Sequence, residues 1–305
     1  MPQANYFDLQ VNGYAGVDFN GDSYREEDLA LACARLRADG VARILATIIT
    51  DEIPTMIRRL ARLAASRQQD AEIAQMIAGF HIEGPFLNPE PGYIGAHPAR
   101  AARPASVDQM RRLLDACQGL ARVVTLAPEC DPQLQTTRFL ADQGICVSAG
   151  HCNPTVAQLH AAIDAGLRMF THLGNGCPLL LHRHDNVIQR VLSLADQLWI
   201  GLIADGVHVP FPALGNYLRC AGIDRCFVVT DAISAAGLGP GTFQLGAQTV
   251  VVDENLATWA PDKSHLMGSA STMPRLVQNL TEGLQLSPAE VADLTSRNPA
   301  RALDH

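Results

Sequence analysis

Several residues of catalytic type stand at the ends of apolar runs in this chain. Glu83 closes "IAGFHIEG" and His151 closes "GICVSAGH". His172 lies in "RMFTHLGN", Asp205 and His208 follow in "LWIGLIADGVH", and Asp231 lies in "RCFVVTDAI". Glu83, His151 and His172 together offer one carboxylate and two imidazoles. Zinc and similar divalent ions take that set in catalytic sites and keep water in the open position. Such an ion lowers the pKa of its water to about 7. A base must then accept the water's proton and pass it to the leaving group, and Asp231 is placed for that task. His97 ends the Pro- and Gly-rich loop "GPFLNPEPGYIGAH". It could donate to a carbonyl oxygen as negative charge develops there.

The ligand candidates are far apart in sequence, so only a fold can gather them. Eight short apolar runs recur along the chain, at 7–11, 42–49, 77–84, 122–129, 144–151, 168–175, 198–206 and 225–233. Their near-continuous apolar character fits parallel strands covered on both faces. Helical patterns separate them. "EEDLALACARLRADG" puts Leu29, Cys33 and Leu36 on one side, with Gly40 beyond its end. "SVDQMRRLLDACQG" opens with Ser106 and Gln109 at capping-box spacing and closes on Gly119. "NPTVAQLHAAIDAG" offers Asn153 as N-cap, Pro154 in the first turn and Gly166 as the stop. Alternation of strand and helix over eight units predicts an α/β fold, a (β/α)8 TIM barrel, whose active site forms at the C-terminal strand ends. One catalytic domain is expected over 1–305, with a hairpin-like insert at 243–260 and helices over 269–305. Of the last two helices, the second opens with Ser287, Pro288 and Glu290, a capping box with proline at the first helical position.

The chain has 305 residues, 48% hydrophobic content and a formal net charge of -8, which argues against a nucleic-acid or anionic-membrane surface. No apolar run reaches the ~20 residues that span a bilayer. "MPQANYFDLQ" lacks the regions of a signal peptide, so a cytoplasmic protein is expected. The eight cysteines include no CxxC pair and read as reduced thiols. Cys152 neighbours a candidate ligand, but a buried thiol is the simpler reading. Other residues have plain structural readings. His81 supports the site from one layer below, Asp205 caps the "ADG" turn, and His160 is surface or packing. His182, His184 and His265 are solvated loop residues.

"DLQVNGYAGVDFN", "GFHIEGPFLNP", "TLAPE", "SAGHCNPT", "THLGNGCP", "IADGVH", "VVTDA" and "MGSASTM" follow one another over nearly the whole chain. Together they resemble the N-acetylglucosamine-6-phosphate deacetylases of the amidohydrolase superfamily. The resemblance implies hydrolysis of the N-acetyl group of N-acetylglucosamine 6-phosphate, giving glucosamine 6-phosphate and acetate. It implies one divalent ion per subunit held by Glu83, His151 and His172, zinc being expected and iron, manganese or cobalt tolerated by the ligand set. Asp231 becomes the general base and acid, and His97 polarises the acetamide carbonyl. Asn175, Gly176 and His208 match substrate-binding positions. Arg183 in "LHRHDN" matches by spacing an arginine that reaches the phosphate from a neighbouring subunit, which implies a homodimer.

Three departures from the family pattern stand out. Where many amidohydrolases carry His-x-His, this chain has Gln10 and Asn12. Amides are poor metal ligands, so a second metal site is not expected. The small β-sandwich common in the family is expected to be missing. Gly174 and Gly176 replace a bulky residue and an alanine, which is expected to loosen the phosphate pocket or alter the sugar accepted. The alternatives are the same kind of enzyme acting on N-acetylgalactosamine 6-phosphate or on an unphosphorylated cyclic amide, and a non-catalytic sugar-phosphate binding protein.

Overall fold

The eight apolar runs form eight parallel strands paired in chain order. They are β1 (Tyr6–Val11), β2 (Val41–Ile49), β3 (Ile77–Glu83), β4 (Ala121–Leu126), β5 (Cys146–Ala149), β6 (Leu167–Phe170), β7 (Trp199–Ile203) and β8 (Cys226–Val229). The computed structural model describes residues 5–245, 248–263 and 265–304. The first four residues of the N-terminal stretch, two residues of the hairpin-like insert, residue 264 and His305 of the C-terminal segment lie outside the described residues.

Helices α1 (Glu26–Ala38), α2 (Ile53–Gln69), α3 (Ala71–Met76), α4 (Val107–Cys117), α5 (Gln135–Asp142), α6 (Val156–Asp164), α7 (Val187–Leu192) and α8 (Phe211–Ala221) alternate with the strands. Leu29, Cys33 and Leu36 of α1 are all buried, as their spacing requires. The strands are buried on both faces. Ile44, Leu45 and Ala46 are consecutive in β2 and all fully covered. That is the burial expected of a parallel sheet sandwiched between helices and its own barrel interior. Below the site an apolar cluster including Phe7, Leu9, Leu45, Val123, Met169 and Phe227 packs together, joined by Ala302 of the C-terminal segment.

Two helix starts differ from expectation. Thr155, not Asn153, caps α6: its side chain accepts from the Gln158 N–H, and Gln158 answers on the cap backbone. Asn153 instead accepts from Arg190 Nη1 at 3.0 Å. In α4, Ser106 accepts from the Gln109 N–H, but Gln109 Oε1 has no partner among the described residues, so only half a capping box forms. Gly166 follows the end of α6 as expected, with a φ of +112°. The box of Ser287 and Glu290 is complete.

The barrel closes through side chains as much as through backbone. Val11 bridges Ala232, and the Asn12 N–H donates to the Ala232 carbonyl at 2.7 Å. The Asp8 carboxylate takes the Thr230 hydroxyl at 2.5 Å and the Thr230 N–H at 3.2 Å. Asp8 is 1% exposed, and burial pushes its carboxyl up to about 7 despite these donors. Asp8→Ala should therefore cost about 2–4 kcal/mol, because three buried donors, the Gln10 N–H included, lose their acceptor. Urea unfolding measures this loss. A raised folded pKa stabilises fully below the usual carboxylate range and is lost as pH rises through about 7. The urea midpoint should fall over that window, and fall less in Asp8→Asn.

After β8 the chain forms a three-stranded antiparallel sheet of β9 (Gly241–Leu245), β10 (Gln248–Val252) and β11 (Thr258–Trp259). It packs through Leu245, Val250 and Val252 on Ile49 and on Ala96, next to His97. Gln248 Nε2 donates to the Ala96 carbonyl at 2.8 Å. The chain then returns through α9 (Met273–Gln278), α10 (Pro288–Ala292) and α11 (Asn298–Leu303), with single π-helical turns after α9 and α10. Asn279 and Asn298 tie this segment to the barrel, donating to the carbonyls of Ala204 and Cys226.

Candidate active site

Glu83 is the last residue of β3 and keeps extended backbone. The other strand-end candidates lie just beyond their strands. His151, His172 and Asp231 have φ values of +50°, +35° and +50°. Left-handed backbone cannot continue a parallel strand, so β5, β6 and β8 stop earlier than their apolar runs. Each turn points a polar side chain into the barrel mouth. Non-glycine residues held this way cost of order 1–3 kcal/mol and cluster at functional sites.

Three imidazoles converge on one carboxylate oxygen. Glu83 Oε1 lies 3.0 Å from His172 Nε2, 3.2 Å from His151 Nε2 and 3.9 Å from His97 Nε2. All four side chains are almost fully buried. Burial alone would raise the Glu83 carboxyl, but the hydrogen bonds to His151 and His172 hold it well below its ordinary range.

Hydrogen bonds on the far ring nitrogens sort the histidines. His151 Nδ1 lies 2.8 Å from the Tyr93 carbonyl and donates to it, so Nε2 is the nitrogen turned to Glu83 and the one open to a metal. His97 Nδ1 accepts from the Thr50 N–H at 3.3 Å, so its proton sits on Nε2. Burial pushes His97 down to about 3, which keeps it neutral. In this arrangement His97 can donate from Nε2, and His151 can ligate through Nε2. His172 Nδ1 has no partner among the described residues.

The ligand atoms of Glu83, His97 and His151 lie within 4.8 Å of one another. His172 Nε2 lies closer to Glu83 Oε1 than His97 Nε2 does, at 3.0 Å against 3.9 Å. The 3.0 and 3.2 Å separations from Glu83 Oε1 are close to the edge of a tetrahedron with bonds of about 2.0–2.2 Å. One carboxylate and two imidazoles, as Glu83, His151 and His172 supply, are the donor types that a divalent ion takes.

A cleft of about 790 Å³ opens above these residues, lined also by Asn12, Asn175, Gly176, His208 and Asp231. Burial and the neighbouring Glu83 charge push the Asp231 carboxyl up to about 6. Asp205 accepts the Val207 and His208 N–H groups, as a turn cap should, and also holds His208 Nδ1 at 2.6 Å. Asn175 folds back so that its Nδ2 donates to the His172 carbonyl at 3.3 Å. A Cβ on Gly176 would stand 2.8 Å from His151 Nδ1. Glycine there permits a close approach to the imidazole rather than simply widening the pocket. Arg183 is exposed, outside the cleft of its own chain.

His81 lies below the site between the Leu9 carbonyl and the Thr125 hydroxyl. The Cys152 thiol is buried and pushed up by that burial. Sequence reasoning missed the far wall of the cleft, where Leu245, Trp259, His265 and Leu266 come from the insert and the turn after it. An aromatic in a strand with no polar neighbour of catalytic type gives no signal of that position. Gln10 and Asn12, which stand where ligands are expected, both donate to site carboxylates instead.

No family model matches the chain. It is 34% identical over 299 residues to the N-acetylgalactosamine-6-phosphate deacetylase of Escherichia coli O157:H7, covering 98% of this chain and 77% of that protein. It is 32% identical to the N-acetylglucosamine-6-phosphate deacetylase of Bacillus subtilis (strain 168), covering 97% and 74%. Among solved structures, a point mutant of the Mycobacterium smegmatis N-acetyl-D-glucosamine-6-phosphate deacetylase, in complex with N-acetyl-D-glucosamine-6-phosphate, superposes with a TM-score of 0.89. That match has 28% identity and covers 98% of this chain and 77% of that one. The Pasteurella multocida enzyme gives a TM-score of 0.87, with 28% identity over 98% of this chain and 76% of that one. With its barrel, its convergent Glu83–histidine cluster and these relatives, the chain belongs to the N-acetylglucosamine-6-phosphate deacetylase family of metal-dependent amidohydrolases.

Proposed function

We propose that this enzyme hydrolyses the acetamide of N-acetylglucosamine 6-phosphate, releasing acetate and glucosamine 6-phosphate. The convergence of His151 and His172 on Glu83 Oε1, at the floor of a cleft that also holds Asp231, carries this reading. Glu83, His151 and His172 hold one divalent ion, zinc in our reading. When bound, that ion activates water and polarises the carbonyl.

The remaining work falls to the chain's own residues. His97 donates its Nε2–H to the acetamide oxygen, steadied by Thr50 on its other nitrogen. Asp231 accepts a proton as the water oxygen bonds to the acetamide carbon. It returns that proton to the nitrogen as the C–N bond breaks, so the amine leaves neutral. Asn175, the backbone at Gly176, and His208 braced by Asp205 hold the sugar phosphate. Arg183 lies outside its own cleft and serves the site of a second subunit in a homodimer, where its guanidinium suits phosphate. No helix among the described residues is long and apolar enough to cross a membrane, and the net charge of -8 disfavours nucleic acid. In our reading the enzyme is cytoplasmic and acts on a small molecule.

Acetate release before and after chelation tests the reading. Activity should vanish with the chelator and return with a divalent ion, and activity untouched by chelation would sink the metal's role. Running N-acetylgalactosamine 6-phosphate alongside decides a second reading, favoured by the Escherichia coli O157:H7 relative at 34% identity. The unphosphorylated sugar should be turned over far more slowly.

A further inference from the structure

Gln10 and Asn12 sit at the end of β1, 2% and 3% exposed, where the strand's pairing register slips between Asp8 and Val11. Such irregularities re-aim side chains. Here they bring both amides into the barrel mouth. Gln10 Nε2 donates to Glu83 Oε2 at 3.2 Å and to Asp231 Oδ1 at 3.0 Å. Asn12 Nδ2 donates to the same Asp231 Oδ1 at 2.7 Å. The segment is held firmly. The Val11 N–H donates to Thr47 Oγ1 at 3.1 Å, and the Asn12 N–H to the Ala232 carbonyl at 2.7 Å.

The pattern is selective by atom. Each carboxylate has one oxygen engaged by amide donors and one left for chemistry. Glu83 turns Oε1 to the imidazoles while Gln10 holds Oε2. Two amides hold Asp231 Oδ1, which leaves Oδ2 for the cleft. A carboxylate free to rotate about its last torsion presents either oxygen. One fixed at a single oxygen presents the other in a set direction. The donors are also neutral. A lysine or arginine in their place would pair with Asp231 as an ion and reduce its power to take a proton.

We propose that Gln10 and Asn12 are positioning residues that select the working oxygens, Oε1 of Glu83 for the ion and Oδ2 of Asp231 for proton transfer. The proposal rests on Asp231 as the proton acceptor. It assigns the two amides a part in the reaction, beyond the absence of a second metal site.

Two substitutions separate the roles. Asn12→Leu keeps the approximate shape and removes the shorter of the two donors to Asp231 Oδ1. It should lower kcat about 10- to 100-fold, with KM within about twofold and metal content unchanged. Gln10→Met frees Glu83 Oε2 and removes one of the two donors to Asp231 Oδ1. It should lower kcat and also weaken retention of the ion against a chelator by about 10-fold or more. Should the leucine variant fail to fold, Asn12→Asp preserves the shape and turns a donor into an acceptor, and the same kcat loss is expected. A kcat within about twofold of the parent at Asn12, or a kcat loss there that merely tracks lost metal, overturns the proposal. Asp231→Asn is the control. If it is inactive while Asn12→Leu is normal, only the selection of oxygens fails. If it remains active, the assignment of Asp231 fails and this inference falls with it.

Discussion

Asp231→Asn is expected to lower kcat by about 10²- to 10⁴-fold, the range supplied by a positioned general acid–base. The substitution is close to isosteric, so the fold should survive. Glu83, His151 and His172 are untouched, so the enzyme should still bind one equivalent of metal. KM should change little, because the proton is moved in the transition state rather than in the bound ground state. Steady-state acetate release with metal analysis on the same sample measures all three. A variant with full kcat and full metal content would remove Asp231 from the reaction.

Glu83→Gln should have the other large effect, by a different route. The carboxylate is the charged member of the proposed ligand set, and the substituting amide is a poor ligand. Metal content should drop from about one equivalent to a small fraction, and activity with it. Stability gives an independent readout. In the parent, a divalent ion at about a hundred times its Kd should stabilise the fold by about 2.7 kcal/mol. In Glu83→Gln the same addition should leave the unfolding transition where it was.

The barrel was legible because eight apolar runs separated by capped helices have few other ways to bury themselves. The strand ends were less so. The runs into His151, His172 and Asp231 overshoot the strands, since a left-handed residue leaves no mark on composition. Asn153-Pro154-Thr155 offers two good caps in close succession. Thr155 prevails because Gln158 stands three residues on and can reciprocate. The chemical side chains at the site announced themselves by type. Their supports did not, because the Tyr93 carbonyl and the Thr50 N–H are backbone atoms that almost any residue would supply. Gln10 and Asn12 were visible, but their meaning depends on which atoms they face.

The left-handed torsions at His151, His172 and Asp231 also bear on how this chain would drift if a gene duplicate were freed from catalysis. Glycine and asparagine adopt such torsions with less strain, so a duplicate selected for stability alone would be expected to take them at these three positions. It would trade chemistry for heat resistance, since stabilising changes at a strained working site commonly cost function. Such a descendant would be recognisable by a barrel kept intact around three relaxed corners.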